Sequence, residues 1–242
     1  MQHRRQAWAT FFASAAICVL AEAAFAVPIP LTLVGPVAGN LLGPQSASNP
    51  CIIAATQCQQ PAGFGFNNFT QGGAISSYNM YSTTPTANVA DGVQGTPYTV
   101  AQLTGAVGTS IVVAIDVNTN SAAGETLQLF EVIDVTSNNV LYDYHGPTNI
   151  GTVFNNGNGF ADYALGIISL AGLPNTDQIL FHAVWNNASA GGESFFLVPL
   201  AGVPTLFSAV PGPIAGAGLP GLILASGGLL AWWRRRKTVA AA

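Results

Sequence analysis

Between Val27 and Ala231 the sequence contains no lysine and no arginine. All six basic residues lie in the two ends of the chain, as Arg4, Arg5, Arg234, Arg235, Arg236 and Lys237. Of the ten acidic residues, all but Glu22 lie in the interval without cations, which gives that interval a formal charge of about −9. Because binding to phosphate groups needs cationic side chains, this balance disfavours nucleic acid and other anionic polymers as partners.

Charged residues are scarce in the whole chain, at 7% of its residues, while 50% are hydrophobic. An average soluble domain has about a quarter of its residues charged. Asn, Thr, Ser and Gly fill most of the polar positions here. This balance is typical of an exported bacterial β protein rather than a cytosolic one.

Motifs of several enzyme classes are also absent. The sequence has no Gly-x-Ser-x-Gly or His-Glu-x-x-His segment and no phosphate-binding loop. A catalytic pair of carboxylates cannot be selected among the scattered acids. From these absences we predict a protein that is not an enzyme and that needs no cofactor.

Metal or acid–base chemistry would have to use His145 and His182, the only histidines outside the first 26 residues. With Asp143 they are candidates for a metal pair, or for a base and the carboxylate that orients it. The two histidines fall in different predicted strands, and Asp143 shares a strand face with His145. We therefore interpret both imidazoles as surface side chains and predict no metal site.

Residues 1–26 have the three parts of a secretory signal peptide. Arg4 and Arg5 form the positive start, an apolar core follows, and Ala24 and Ala26 form a small-x-small cleavage site. The sequence therefore predicts export of the chain, with the mature protein beginning near Val27.

Loss of the signal peptide removes Cys18 and leaves Cys51 and Cys58 as the only cysteines. In an oxidising compartment, an isolated pair of this kind predicts a disulfide bond that closes a short loop. A metal or redox role is the alternative, but the spacing is not Cys-x-x-Cys and no histidine lies nearby.

Near the C-terminus, a linker at residues 201–213 leads into an uncharged apolar segment at residues 214–233. Twenty residues at 1.5 Å each make roughly 30 Å of helix, which is the thickness of the hydrocarbon core of a bilayer. Four cations follow directly, namely Arg234, Arg235, Arg236 and Lys237. The pattern predicts one transmembrane helix, a cytoplasmic basic tail at residues 234–242, and an N-terminal part that lies outside the membrane.

The order of these parts resembles the PEP-CTERM sorting domain of exported bacterial surface proteins. The matching motif is Pro211, Gly212 and Pro213, followed by the Gly-rich apolar helix and the arginine cluster, and Gly212 stands where the commonest version has Glu. The resemblance covers about the last thirty residues. It implies that an exosortase in the inner membrane cuts at the proline motif and releases or transfers the outer domain.

A plain stop-transfer anchor is the alternative interpretation, since any such anchor needs an apolar span followed by cations. Three features favour the sorting domain instead. The helix is short and Gly-rich with Pro220 inside it, the remainder beyond it is brief, and Pro211 and Pro213 lie just outside the membrane.

Residues 27–200 show the alternating pattern of a β domain. Strands are predicted at Thr109–Val117, Thr126–Val135 and Val140–His145, joined as an antiparallel meander, and again at Gln178–Trp185 and Glu193–Leu200. In the strand from Gln178, every second residue is apolar and faces inward, and His182 lies on the opposite side.

Two segments depart from this pattern. Phe160–Ala171 has apolar residues three and four apart, which predicts an amphipathic helix with Asp162 in its first turn and Gly172 beyond its end. Thr99–Val107 fits either a short helix capped by Thr99 or a strand. Together the patterns predict a mainly β protein, a single jelly-roll-like β-sandwich with one short amphipathic helix.

Asp116, Asn118 and Asn120 place oxygen-bearing side chains at alternate positions, as the start of a calcium loop does. The sixth position is Ser121 rather than Gly, and the twelfth is Leu127 rather than Glu. An Asn-rich hairpin turn accounts for the same residues. We therefore predict that folding does not require calcium.

From these features we expect a cell-surface or extracellular-matrix protein that is anchored in the inner membrane before processing and reaches the surface or medium afterwards. Its expected partners are the membrane, the processing enzyme and the exopolysaccharide of a biofilm. The alternative is a carbohydrate-binding or carbohydrate-active module on a jelly-roll fold. Candidates for stacking on sugars in that case are Phe64, Phe66, Tyr142, Tyr144 and Trp185.

Overall fold

The structure is a computed structural model. It describes residues 27–37, 41–54, 58, 61–65, 74–79, 95–119, 124–151, 153, 157–187 and 193–203. The predicted signal peptide, sorting motif, membrane span and basic tail all lie outside these residues. In the described part of the chain, no helix has both the length and the apolar character needed to cross a membrane.

The described elements are eleven strands, one α-helix and a closing 3₁₀ turn. In chain order they are β1 (Ile29–Pro30), β2 (Leu33–Val34), β3 (Cys51–Ile53), β4 (Ala74–Tyr78), β5 (Tyr98–Thr99), α1 (Val100–Val107), β6 (Ser110–Asp116), β7 (Glu125–Asp134), β8 (Asn139–Ile150), β9 (Tyr163–Ser169), β10 (Gln178–Asn186), β11 (Ser194–Pro199) and the turn at Leu200–Gly202.

The strands form two sheets. The larger sheet has the order β1-β8-β7-β10-β4, and the short β5 also pairs with β10. The smaller sheet has the order β2-β9-β6-β11-β3. All pairings are antiparallel except that of β1 with β8. The prediction of a mainly β domain is therefore confirmed, and the two sheets are consistent with a β-sandwich.

The inner faces of the two sheets share one hydrophobic core. Phe130 of the larger sheet stacks on Phe195 of the smaller sheet, with ring centroids 5.5 Å apart. Trp185 meets the same Phe195 edge-on, with its centroid at 6.1 Å. Aromatic pairs at these separations stabilise a core by about 0.5–1.5 kcal/mol beyond the burial of their area. These contacts fix the two sheets face to face.

The smaller sheet also carries a second apolar cluster on its outer side. Cys51 and Cys58 belong to this cluster, with their sulfurs at disulfide distance and their Cα atoms 5.9 Å apart. The predicted disulfide bond is thus confirmed. Closing so short a loop stabilises the fold by about 2–3 kcal/mol in the chain-entropy picture.

The predicted three-strand meander is wrong for its first strand, β6. β7 and β8 form the expected antiparallel hairpin, but β6 lies in the other sheet, between β9 and β11. Every residue from Ile111 to Asp116 is buried. A strand without an exposed face fits the smaller sheet, which is covered on both sides, and the link between β6 and β7 crosses from one sheet to the other.

The predicted helix at Phe160–Ala171 is also wrong, because this segment contains strand β9. Val112 of β6 pairs with Ile167 and Val113 pairs with Leu165, so Gly166 is an extra residue in the ladder. Such a bulge shifts the alternation by one position, and apolar residues three apart then share a face. The spacing that imitates a helix arises from this bulge.

The helix interpretation of Thr99–Val107 is correct. Thr99 accepts a hydrogen bond from the Gln102 backbone N–H at 3.2 Å, and the Gln102 side chain accepts one from the Thr99 backbone N–H at 2.7 Å. This reciprocal cap satisfies two backbone donors at the start of α1. The apolar side of the helix, which includes Val100, Leu103 and Val107, packs into the main core.

Candidate functional site

A row of polar and aromatic side chains crosses the larger sheet on the side turned away from the core. His182 of β10 pairs in register with Tyr78 of β4 on one side and Glu131 of β7 on the other. Glu131 in turn pairs with Asp143 of β8. We call these four residues the polar row. Its position follows from the predicted alternation of β10, which buries Phe181 and Ala183 and places His182 on the opposite face, as expected.

Ser76, two residues before Tyr78 on β4, completes a chain of hydrogen bonds that begins in this row. The Ser76 Oγ lies 2.9 Å from His182 Nε2. His182 Nδ1 lies 2.8 Å from Glu131 Oε2. A hydroxyl, an imidazole and a carboxylate therefore follow one another across three neighbouring strands, at distances normal for hydrogen bonds.

The partners fix the tautomer of His182 when its ring is neutral. An ionised carboxylate can only accept hydrogen bonds, so Nδ1 carries the proton and donates to Glu131. Nε2 is then left with a lone pair that accepts the Ser76 hydroxyl proton. This is the arrangement in which an imidazole acts as a general base toward a hydroxyl.

The imidazole of His182 is held tightly in this orientation. Only 11% of its side chain is exposed, against 21% for Glu131. The ring of Tyr78 stacks on it with a centroid separation of 4.2 Å and an interplanar angle of 6°. The stacked ring and the Glu131 carboxylate together restrict rotation of the imidazole.

Asp143 at the end of the polar row pairs with the second histidine. His145 Nε2 lies 3.0 Å from Asp143 Oδ2, and 68% of the His145 side chain is exposed. The prediction of a surface imidazole is correct for His145. His182 is instead largely buried. Its contacts with Ser76 and Glu131 could not be predicted from the sequence, because both residues lie on other strands.

A second group of titratable side chains lies at one end of the sandwich. Four buried carboxyl side chains lie at or next to the ends of β6, β7, β9 and β11. They are Asp116, Glu125, Asp162 and Glu193. We call them the acid end. Since the sequence has no Lys or Arg from Val27 to Ala231, no side chain of that interval other than the two histidines can bring a positive charge to them.

Asp116, the first residue of the suspected calcium loop, is bound by protein donors. Its Oδ2 accepts from Gln45 Nε2 at 2.9 Å and from the backbone N–H of Gly159 at 3.0 Å. Burial raises the pKa of Asp116 to about 7, the Gly159 hydrogen bond opposes the shift, and the nearby Asp162 carboxylate adds to it.

Glu193 and Glu125 face each other in the interior at this end. Trp185 Nε1 donates to Glu125 Oε2 at 2.7 Å. Neither carboxyl oxygen of Glu193 accepts a hydrogen bond from the donor of another described residue. Burial, followed by the Glu125 carboxyl beside it, raises the pKa of Glu193 to about 10. Because this pKa lies above 7, Glu193 carries a proton at neutral pH.

The aromatic residues that the sequence offers for sugar stacking do not form a binding face. Phe64, Tyr142, Tyr144 and Trp185 are buried within the main core, and Phe66 lies outside the described residues. Strand alternation turns Tyr142 and Tyr144 inward while their neighbour Asp143 faces outward. Among the described residues, no group of three or more His, Cys, Asp or Glu side chains is arranged to hold a metal ion.

No protein family, no curated protein sequence and no solved structure matches this chain.

Proposed function

We propose that this chain is an exported bacterial surface or matrix protein, delivered by its signal peptide and sorted through a PEP-CTERM-like tail. The observation that carries the proposal is the separation of charge along the sequence. All Lys and Arg residues lie in the two segments that would be removed, and the interval between them is acidic. Cations that flank apolar segments fix orientation in a membrane, whereas the β domain needs none.

Two features of the described domain support an extracellular location. Its two remaining cysteines are joined by a disulfide bond, which persists in oxidising compartments. Its two sheets share one core. Within this proposal we interpret them as a jelly-roll-like sandwich, the architecture expected of the exported domain. The domain would meet neutral exopolysaccharide at the surface, because its negative charge repels anionic polymers.

Intact-mass measurement of protein from the cell surface or medium tests the proposal. A chain that is cut after Ala26 and near Pro211–Pro213 contains no Lys or Arg, so trypsin leaves it whole even when it is unfolded and reduced. A species recovered in the inner membrane that still ends in the Arg234–Lys237 cluster would contradict processing. That result would identify a plain single-span anchor.

A carbohydrate-active module is the second candidate function. The aromatic side chains do not support it, since those described are buried. The hydrogen-bonded series Ser76, His182 and Glu131 does support it, because it is a chemically competent arrangement on a strand face.

A further inference from the structure

We propose that Ser76, His182 and Glu131 form a hydrolytic triad that cleaves uncharged esters, with O-acyl groups on a neutral polysaccharide as the substrate class. Ser76 is the nucleophile, His182 is the general base and acid, and Glu131 positions His182. The site is inferred from geometry alone. The choice of a polysaccharide ester also rests on the proposed surface location.

The three groups stand in the order that this chemistry requires. The hydroxyl meets one imidazole nitrogen at 2.9 Å and the carboxylate meets the other at 2.8 Å. The second histidine of the domain provides an internal contrast. His145 has its carboxylate partner Asp143 at 3.0 Å but is hydrogen-bonded to no hydroxyl within the described residues. A histidine and an acid thus occur twice on this face, and a serine completes only one of the pairs.

The reaction divides into two halves. In the first, Ser76 Oγ attacks the acyl carbon and its proton passes to His182 Nε2. The carbon–oxygen bond to the alcohol then breaks, and Nε2 returns the proton to the leaving alkoxide. In the second half, water attacks the acyl-serine, gives a proton to Nε2, and Ser76 Oγ recovers it as it leaves. The products are one alcohol and one carboxylic acid.

A backbone donor for the developing oxyanion lies on the nucleophile itself. The backbone N–H of Asn79 donates to the Phe181 carbonyl at 3.1 Å, which sets the ladder between β4 and β10. In an antiparallel ladder these bonds alternate, so Ser77 bonds across to Ala183. The N–H of Ser76 therefore points away from β10, toward the side of β4 on which no described strand pairs. There it can donate to an oxygen bound next to Ser76 Oγ.

Charge and shape determine the substrate class. The domain has a formal charge of about −9, so it repels anionic esters such as phosphoesters. Ser76 lies half-buried on a sheet face, on the terminal strand of the described sheet. A half-buried hydroxyl in this position is reached most easily by an acyl group that projects from a polymer. An uncharged O-acyl ester meets both conditions.

The test uses the full chain, folded as judged by circular dichroism and a cooperative thermal transition. It is incubated with p-nitrophenyl acetate and, separately, with a fluorophosphonate probe. We expect hydrolysis above the buffer rate, and a covalent adduct that peptide mass spectrometry places on Ser76. S76A should lose the adduct, and S76A and His182→Gln should each lower the hydrolysis rate by about 100-fold or more.

The matched control is His145→Ala, which removes the other histidine of the same face and should leave the rate and the adduct unchanged. No adduct on Ser76 in the folded wild-type chain, or a rate that S76A does not lower, would overturn the site. Because the adduct is mapped on the wild-type protein, this result does not depend on whether a variant folds.

Glu131→Gln separates positioning from a merely structural role. His182 is faced by Tyr78 from β4 and by Glu131 from β7, and Asp143 lies one strand farther away on β8. Loss of the carboxylate acceptor leaves the Nδ1 proton and the ring orientation of His182 unfixed, so kcat should fall by about 100-fold while KM stays nearly unchanged. A kcat that stays at the wild-type value would show that Glu131 does not position the base.

Release of acetate from an acetylated neutral polysaccharide then tests the substrate class. Cleavage of p-nitrophenyl acetate without release of polysaccharide acetate would overturn the polymer substrate and leave the triad standing. All of these assays use purified protein. A failure of the proposed export or sorting would therefore leave their outcome unchanged.

Discussion

The polar row and the acid end both hold carboxyl groups, but only the polar row supplies a base beside them. Glu131 and Asp143 each lie within 3.0 Å of a histidine nitrogen. At the acid end, Glu193 has a second carboxyl group as its neighbour, and burial raises its pKa to about 10. The same type of side chain therefore has a histidine as its hydrogen-bond partner in one region and is held neutral by burial in the other.

The difference follows from composition. The interval without Lys or Arg has only two basic side chains, and both histidines lie on the outer face of the larger sheet. Burial of a charge without a compensating partner costs several kcal/mol. Burial accordingly raises the pKa of Asp116 and of Glu193, and neither has a histidine as a hydrogen-bond partner among the described residues.

Among the destabilising substitutions, the largest effect is expected from Trp185→Phe at the acid end. The change removes a hydrogen bond to the buried Glu125 and leaves a cavity beside Phe195. Loss of the donor costs about 1–3 kcal/mol, and the smaller ring adds to this. We expect the free energy of unfolding in urea to fall by about 3 kcal/mol.

A double-mutant cycle with Glu125→Gln isolates the contribution of that hydrogen bond. Because the two side chains are in contact, their costs should not add, and a coupling of about 1 kcal/mol or more is expected. Additive costs would show that the indole N–H does not stabilise the carboxyl group.

A change of pH acts on the same end of the sandwich. The pKa of Asp116 rises from 3.8 to about 7 on folding, and that of Glu193 rises from 4.5 to about 10. Between about pH 4 and 7 the folded state keeps protons that the unfolded state has released. Stability therefore falls as pH rises, by about 1.4 kcal/mol per pH unit for each such group. Urea unfolding should give a higher free energy at pH 5 than at pH 8.

Glu193→Gln replaces the protonated carboxyl group with a neutral amide of similar shape that can donate to Glu125. We expect the variant to be more stable than the wild type at pH 8 and close to it at pH 5. Asp177→Asn, which changes a carboxylate outside the acid end, serves as the control and should keep the wild-type slope. A Glu193→Gln protein with the wild-type pH dependence would contradict the assignment.

The smallest effect is expected at the exposed end of the polar row. His145→Ala breaks a pair in which most of the histidine is in solvent, and water and salt screen such pairs. The free energy of unfolding should fall by no more than about 0.5 kcal/mol. A cost above about 1 kcal/mol would show that Asp143 is desolvated like the acid end.

Much of the local structure follows from the sequence because single strands carry their own signal. The alternation in β10, the cap of α1 at Thr99 and the isolated cysteine pair each depend on residues close together in the chain. The disulfide bond, the inward-facing side of β10 and the helix alternative at Thr99–Val107 are accordingly confirmed.

The errors arise where partners lie far apart in sequence. The bulge at Gly166 is visible only against β6, and the assignment of β6 to the smaller sheet depends on what covers its two faces. The group of Ser76, Glu131 and His182 likewise needs the register of three strands, which no local pattern contains. His182 on the polar side of a buried strand was the one signal available.

The ionisation of Glu193 tests the central comparison most directly. Glutamate labelled with ¹³C at the side-chain carboxyl group allows each titration to be followed by NMR in the folded protein, and the Glu193→Gln variant identifies the Glu193 resonance. The account predicts that this resonance keeps the chemical shift of a protonated carboxyl group at pH 7 and changes only at higher pH. A Glu193 resonance that titrates near its ordinary pKa of 4.5 would contradict it.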